Sequence, residues 1–315
     1  VHEDADWRGG RLGVFVHYAG DDVLEVAKKA YAMFFTENGL GPAAFKSLAK
    51  FEREVVQMTA GLLSGGAGVR GTMTTGGTES ILLAMKSARD WSRAQGRGGA
   101  NPGIVCSETA HPAFDKSAHL LGMEVVRVPV TARLEADIEG IARAIDERTV
   151  ALVASAPNYP YGMVDPVREY ARLAAKHDLW LHVDACVGRY STQTFTGTRA
   201  AAWAVMNYLG ESGYLKVVER ILATREAIER GASALGCRVI GNPQLGITAF
   251  GHATKDIYAA GDRLATRGWF VSRLAQPRGI HLMLNLLHEP VVKQYLDDLA
   301  WALEGTATSA TEASY

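Results

Sequence analysis

Between about Phe45 and Leu63 apolar residues recur at helical spacing, through Leu48, Val55, Val56 and Leu62, and the Gly65-Gly66-Ala67-Gly68 stretch then stops the pattern. This predicts an amphipathic helix. A second helix fits Thr78 to Gln95. Beyond it short β-prone runs, Ile104 to Cys106, Val125 to Val130, Ala151 to Ala154 and Leu179 to Val183, alternate with helical stretches at His111 to Leu121, Ala136 to Ile145 and Pro166 to Lys176. Such alternation predicts right-handed βαβ units and a mostly parallel sheet with helices on both faces, whose ligands sit at the carboxyl ends of strands. After Gly210 the pattern changes to a long helix reaching about Leu235, short strands at Val239 and Ile247 to Phe250, β-prone runs at Trp269 to Leu274 and Ile280 to Leu286, and a helix from Pro290. The expected organisation is an N-terminal segment at 1–45, a large α/β domain at 46–210, a smaller C-terminal α+β domain at 211–304 and a tail at 305–315 rich in Thr, Ala and Ser.

Composition narrows the function classes. A chain of 315 residues, 48% hydrophobic and 21% charged, can bury a large core. A formal net charge of -1 gives no electrostatic reason to expect nucleic acid. Cys106, Cys186 and Cys237 show no C-x-x-C or Cys/His spacing, so neither a disulfide framework nor a metal site is expected, and a reducing cytoplasm is the expected location. No apolar run approaches the roughly 20 residues that span a bilayer, and no integral membrane segment is expected. Because the first residue is Val1, processing or an incomplete start is expected.

Four local constellations carry candidate chemistry. Thr74-Thr75-Gly76-Gly77-Thr78-Glu79-Ser80 places a glycine pair at the start of a helix, where free amides and the dipole make an anion site; a simple Thr N-cap is the alternative. Leu181-His182-Val183-Asp184-Ala185-Cys186 is an apolar strand ending in a carboxylate that needs a cationic partner, either a protonated pyridine nitrogen or a neighbouring arginine. Ser107-Glu108-Thr109-Ala110-His111 opens a helix at the same sheet edge, where an imidazole can stack on a flat ring and exchange protons, or merely cap the helix. Ser155-Ala156-Pro157-Asn158-Tyr159-Pro160-Tyr161-Gly162 is a rigid turn whose tyrosines and asparagine also suit substrate contact.

Taken in order, these motifs resemble those of fold-type I pyridoxal-phosphate enzymes of the transferase-like class. T-G-G-T-E-S, H-x-x-F-D-K, S-A-P-N-Y-P-x-G and H-V-D-A-C resemble the sphingosine-1-phosphate lyase branch of the group II decarboxylase-like family, in which the decarboxylases more often read V-D-A-A. The likeness extends to Trp203–Gly213 and to Arg267-Gly268-Trp269. It implies pyridoxal 5′-phosphate as cofactor, contacted by Gly76, Gly77, Thr78 and Thr198, with Gly77 and Thr78 on its phosphate. It further implies His111 stacked on the ring and Asp184 holding the pyridinium proton. The implied reaction, part of sphingolipid metabolism, cleaves a phosphorylated long-chain base to a fatty aldehyde and phosphoethanolamine. The implied assembly is a homodimer in which the N-terminal segment supplies Tyr18 and Asn38 to the partner's site, with Tyr159 a further substrate contact.

The chain departs from that family in three places. Asn38-Gly39-Leu40-Gly41 stands where the lyases read N-P-L-H, and His17-Tyr18 stands where they have Tyr-His. The Schiff-base lysine, carried by the family in a His-Lys pair after the Val-Asp-Ala strand, has no counterpart, and Lys216, Lys255 and Lys293 lie in contexts that read as solvent-facing. A parallel strand ending at Asp184 needs a crossover of a dozen or more residues, which Arg189 to Arg199 does not contain. Residues belonging between Gly188 and Ser191, and a few near Arg199, are therefore expected to be missing, visible as a Cα–Cα step longer than about 3.8 Å. The alternatives are an amino-acid decarboxylase of the same superfamily, or a lysine-less cofactor-binding protein without covalent chemistry.

Overall fold

The computed structural model describes residues 4–38, 43–187, 199–305 and 313. Three helices come first, α1 (Asp21–Met33), α2 (Lys46–Leu62) and α3 (Gly77–Ala94). Alternating elements follow: β1 (Gly103–Ser107), α4 (Ala113–Leu121), β2 (Glu124–Val128), α5 (Ile138–Ala144), β3 (Thr149–Ser155), α6 (Val167–His177) and β4 (Trp180–Asp184). The remainder comprises α7 (Arg199–Ala234), β5 (Cys237–Val239), β6 (Ile247–His252), α8 (Ile257–Thr266), β7 (Ser272–Leu274), β8 (Gly279–Met283) and α9 (Val292–Leu303).

The first sheet runs β2-β1-β3-β4 and is parallel throughout. Alternate side chains divide between its faces. Ile104, Cys106, Ala151 and Val153 pack with Ile81 and Met85 of α3 and with Phe114 and Ala118 of α4. Val105, Leu152 and Ala154 pack instead with Ile141 of α5 and with Tyr170 and Ala174 of α6. Because both faces are covered, β1 and β3 are buried along their whole length and read as unbroken apolar runs. Phe114 is fully enclosed, and truncating it to alanine would cost about 3–5 kcal/mol through lost burial and the cavity left behind. β4 is last in the sheet order, and its Val183 is 36% exposed.

The second sheet, β5-β6-β8-β7, is antiparallel. Its core joins Phe250, Ile280 and Leu282 to Ile221 and Ile228 of α7, Leu264 of α8 and Leu299 of α9. The N-terminal segment is stitched onto this sheet: Phe270 N–H donates to Arg11 O, and Gly13 N–H donates to Phe270 O. Both architectures match the expected α/β plus α+β class.

Several boundaries differ from expectation. The long helix starts at Arg199 rather than after Gly210, because Gly210 adopts φ 56° and ψ -177°, a conformation open to glycine that kinks the helix without ending it. His111 precedes α4 instead of belonging to it, the strand expected to reach Val130 ends at Val128, and β7 covers only part of Trp269–Leu274. Helices α1 and α8 were not anticipated by the apolar pattern. Gly39, Gly41, Thr198 and the expected break between Gly188 and Ser191 lie outside the described residues.

Candidate active site

The segment leading into α3 is built to present backbone. Gly76 has φ 155° and ψ -179°, a region essentially reserved for glycine, and α3 starts without a side-chain cap. Its first-turn amides therefore point outward at the positive end of the helix dipole. Glu79 turns away from them, accepting from Thr75 N and Oγ1, both at 2.6 Å, and these hydrogen bonds hold its carboxyl below the usual range. Thr74 Oγ1 and Ser80 Oγ lie 2.6 Å apart and close the loop. Upstream, Glu52 of α2 accepts from Thr72 Oγ1 at 2.6 Å and Met73 N at 2.9 Å, and pairs with Arg199 at 2.7 Å. Burial pushes the Glu52 carboxyl up, but these partners outweigh it and leave it depressed. One carboxylate thus ties α2, the loop and the start of α7.

The facing wall comes from β4. Strand periodicity puts Trp180, His182 and Asp184 on the α3/α4 face, and the His182 ring meets that of Phe114 edge-on at 5.6 Å. Burial drives the His182 pKa down, so the imidazole is neutral at physiological pH. Asp184 accepts from Cys186 N at 3.1 Å. The Cys186 thiol, its pKa raised by burial and by Asp184, sits against the start of α3: a Cβ placed on Gly77 would lie 3.5 Å from Cys186 Sγ. Helix start and carboxylate therefore converge on one cavity of about 410 Å³, lined by Thr72 through Gly77, by Ser80 and by His182 through Cys186. Val55 and Thr59 of α2 and Ala202 and Met206 of α7 complete the wall.

His111 stands at the same edge without lining the cavity. Its Nδ1 accepts from Ala113 N at 3.1 Å, so the ring caps α4 and carries its proton on Nε2. The loop before it is held by Arg127, which donates to Glu108 O at 3.0 Å and Ala110 O at 2.9 Å while pairing with Asp115 at 2.5 Å. Because Phe114 rests on His182, the start of α4 lies over the carboxyl end of β4.

The other expected contacts are elsewhere. Tyr159 packs on His281 with ring centroids 4.7 Å apart, and its carbonyl bonds His281 Nε2 at 2.9 Å. Tyr18 lies against the second sheet's core, and Asn38 is exposed. None of the three lines the cavity. All ten lysines are exposed, Lys216, Lys255 and Lys293 among them, and none lines the cavity either. The motif reading included His182, Thr75 and Ser80 without giving them a role, and it missed the Glu52–Arg199 tie. A role for His182 was findable, two residues before Asp184 on the same strand face; the tie joins residues far apart in sequence and leaves no local signal.

Residues 44–191 match the pyridoxal-dependent decarboxylase conserved domain. The chain is similar to a sphingosine-1-phosphate lyase of Oryza sativa, 32% identical over 375 aligned positions that take in 94% of this chain and 69% of that enzyme. It is also similar to a probable L-tyrosine/L-aspartate decarboxylase of Methanothrix thermoacetophila, 31% identical with 82% of each chain covered. Its fold matches a solved sphingosine-1-phosphate lyase of Burkholderia pseudomallei with a TM-score of 0.87 at 27% identity, over 95% of this chain and 86% of that one. Since 94% of 315 residues is about 296, some 79 of the 375 positions aligned with the rice enzyme have no residue of this chain opposite them.

Proposed function

The chain belongs to the sphingosine-1-phosphate lyase branch of the pyridoxal-phosphate-dependent decarboxylase-like family, and on that premise we propose that it cleaves phosphorylated sphingoid bases, releasing a fatty aldehyde and phosphoethanolamine. The observation that carries the reading is the convergence of an uncapped helix start and the Asp184 carboxylate on one cavity at the carboxyl end of a parallel sheet. That pairing fits a phosphorylated pyridine at both ends: amides for the phosphate, a carboxylate for the ring nitrogen. It does not fit covalent attachment, because no lysine reaches the cavity.

Gly76, Gly77 and Thr78 would hold the cofactor phosphate, and Asp184 would keep the ring nitrogen protonated. When bound, pyridoxal phosphate supplies an electron-poor ring that takes up the electron pair freed by bond cleavage. His111, with Nδ1 committed to α4, offers Nε2–H for proton exchange. His182, in the cavity wall, stays neutral and adds no competing positive charge beside Asp184.

The same reading places Tyr18 and Asn38 in the site of a second copy, within a cytoplasmic homodimer serving sphingolipid metabolism, with the cofactor unit at 46–210 and the smaller unit at 211–304. No helix among the described residues is long and apolar enough to cross a membrane. The test is product analysis with a phosphorylated long-chain base and added cofactor. Fatty aldehyde is expected, falling about 100-fold or more in Asp184→Asn as the ring loses its fixed countercharge. A second reading, amino-acid decarboxylation, is favoured by the likeness to the archaeal decarboxylase over 82% of both chains. Carbon dioxide released from an amino acid, without aldehyde from the base, would establish that reading instead.

A further inference from the structure

We infer that this chain holds its pyridine cofactor by phosphate and ring nitrogen alone, as a reversible site that takes pyridoxal 5′-phosphate and pyridoxamine 5′-phosphate about equally. The inference rests on the cofactor part of the proposed function and not on its turnover.

An aldehyde becomes fixed to a side chain only where a primary amine comes within bonding distance, losing water as the carbon–nitrogen double bond forms. The side-chain amines of this chain are its ten lysines, and every one is exposed. Lys28, Lys50, Lys86 and Lys293 are engaged with acidic partners one helical turn away, at 2.8, 3.8, 2.6 and 2.6 Å. None of the ten borders the cavity between α3 and β4. What borders it instead is hydroxyl, thiol, carboxylate, neutral imidazole and backbone, in Thr74, Ser80, Cys186, Asp184 and His182.

The sheet and the relatives agree with this. β4 has the apolar sequence of an interior strand, Trp-Leu-His-Val-Asp, yet pairs on one side only among the described residues, and Val183 is left exposed. The rice enzyme carries some 79 aligned positions with no counterpart here, enough for further strands beyond such an edge.

Aldehyde and amine forms share the phosphate and the ring nitrogen and differ only at the substituent that a lysine would capture. With the shared groups held and no amine facing the differing one, the site has no strong means of telling the two forms apart. Asp184 acts on both through the ring nitrogen, so Asp184→Asn should weaken both by one common factor, about 10- to 100-fold for a lost charge-assisted hydrogen bond.

The experiment is equilibrium dialysis of the full chain against each form separately, followed by borohydride treatment and intact-mass measurement. The expected result is dissociation constants within about threefold of one another, full removal of either form by dialysis, and no stoichiometric adduct. Scattered, substoichiometric adducts unchanged in Asp184→Asn are exposed lysines reacting and support the inference. A single stoichiometric adduct that is lost in Asp184→Asn, or binding of the aldehyde form about 100-fold tighter than the amine form, overturns it. If neither form binds, the cofactor reading falls and takes this inference with it. If both bind alike and no aldehyde product is formed, the inference stands and the lyase reading alone falls.

Discussion

Two aspartates near the surfaces of the two sheets show how differently one side chain can be employed. Asp298 of α9 is 7% exposed and fully occupied: Arg267 pairs with one oxygen, and Trp269 Nε1 donates to the other at 2.7 Å. Burial pushes its carboxyl up, but the Trp269 and Arg267 hydrogen bonds bring it below the usual range. The Asp184 carboxylate at the end of β4 accepts one hydrogen bond among the described residues, from the Cys186 amide, and faces a cavity. A carboxylate whose partners are all supplied by the fold serves the fold. One left with open lone pairs beside a concave, amide-lined wall is arranged for a ligand.

The largest effect that would sharpen this contrast is on stability. Asp298→Ala strips Arg267 and the buried Trp269 Nε1–H of their acceptor and should destabilise the protein by about 2–4 kcal/mol, read from chemical denaturation. Because Arg267 keeps access to water, the loss falls short of that for a wholly buried pair. A loss under about 1 kcal/mol would break the comparison from the structural side.

A third aspartate extends the series. Asp165 is 4% exposed, accepts from Ser155 N at 2.7 Å and donates its own N–H to Ser155 O at 2.9 Å, closing the base of the loop that carries Tyr159. Burial without a cation lifts its pKa from 3.8 to about 6. The folded state thus holds this proton more tightly than the unfolded state does. Its contribution to stability is complete below pH 3.8 and is lost as pH rises through about 6. At roughly 1.4 kcal/mol per pH unit the loss reaches about 3 kcal/mol at most. Asp165→Asn retains an acceptor for Ser155 and has no charge to bury. It should match the parent near pH 4 and exceed it by about 1–3 kcal/mol at pH 7. Parallel stability profiles for the two proteins would show that water or a cation already satisfies Asp165.

The parallel sheet was legible because its strands and helices alternate and each carries its own apolar signal. Every strand from Gly103–Ser107 to Trp180–Asp184 was located within a few residues. Elements whose stability comes from distant partners were not. α1 buries only Val23 and Ala27, small contributions that become a helix face through Ala201 and Val205 of α7. α8 is announced only by its N-cap, Asp256, whose carboxylate accepts from Tyr258 N and Ala259 N. Phe270 carries a β-prone signal that is spent on the N-terminal segment rather than on β7, while the Trp269 N–H turns back to Leu264 O at the end of α8. Of the cavity lining, Gly76, Gly77 and Asp184 were readable as local motifs, whereas Thr78 of the same motif does not line it. The absence of a lysine was readable as well, but that every lysine points to solvent is a fact of packing.

The smallest expected effect is the one that completes the comparison. Asp184→Asn exchanges a carboxylate for an amide of the same shape, and the Cys186 amide keeps an acceptor at that position. No cation of the fold is left unpaired, since Asp184 forms no ion pair among the described residues, and the neighbouring His182 is neutral. Removing the charge also relieves whatever desolvation the half-buried carboxylate suffers. The ligand-free variant should therefore unfold within about 0.5 kcal/mol of the parent, in contrast to Asp298→Ala. Adding a saturating phosphorylated pyridine should then raise the melting temperature of the parent more than that of the variant, because a ligand stabilises in proportion to the logarithm of its concentration over its dissociation constant. A ligand-free Asp184→Asn protein weakened by 2 kcal/mol or so would place Asp184 beside Asp298 as a structural carboxylate, and equal ligand-induced shifts would remove it from the cofactor's ring nitrogen.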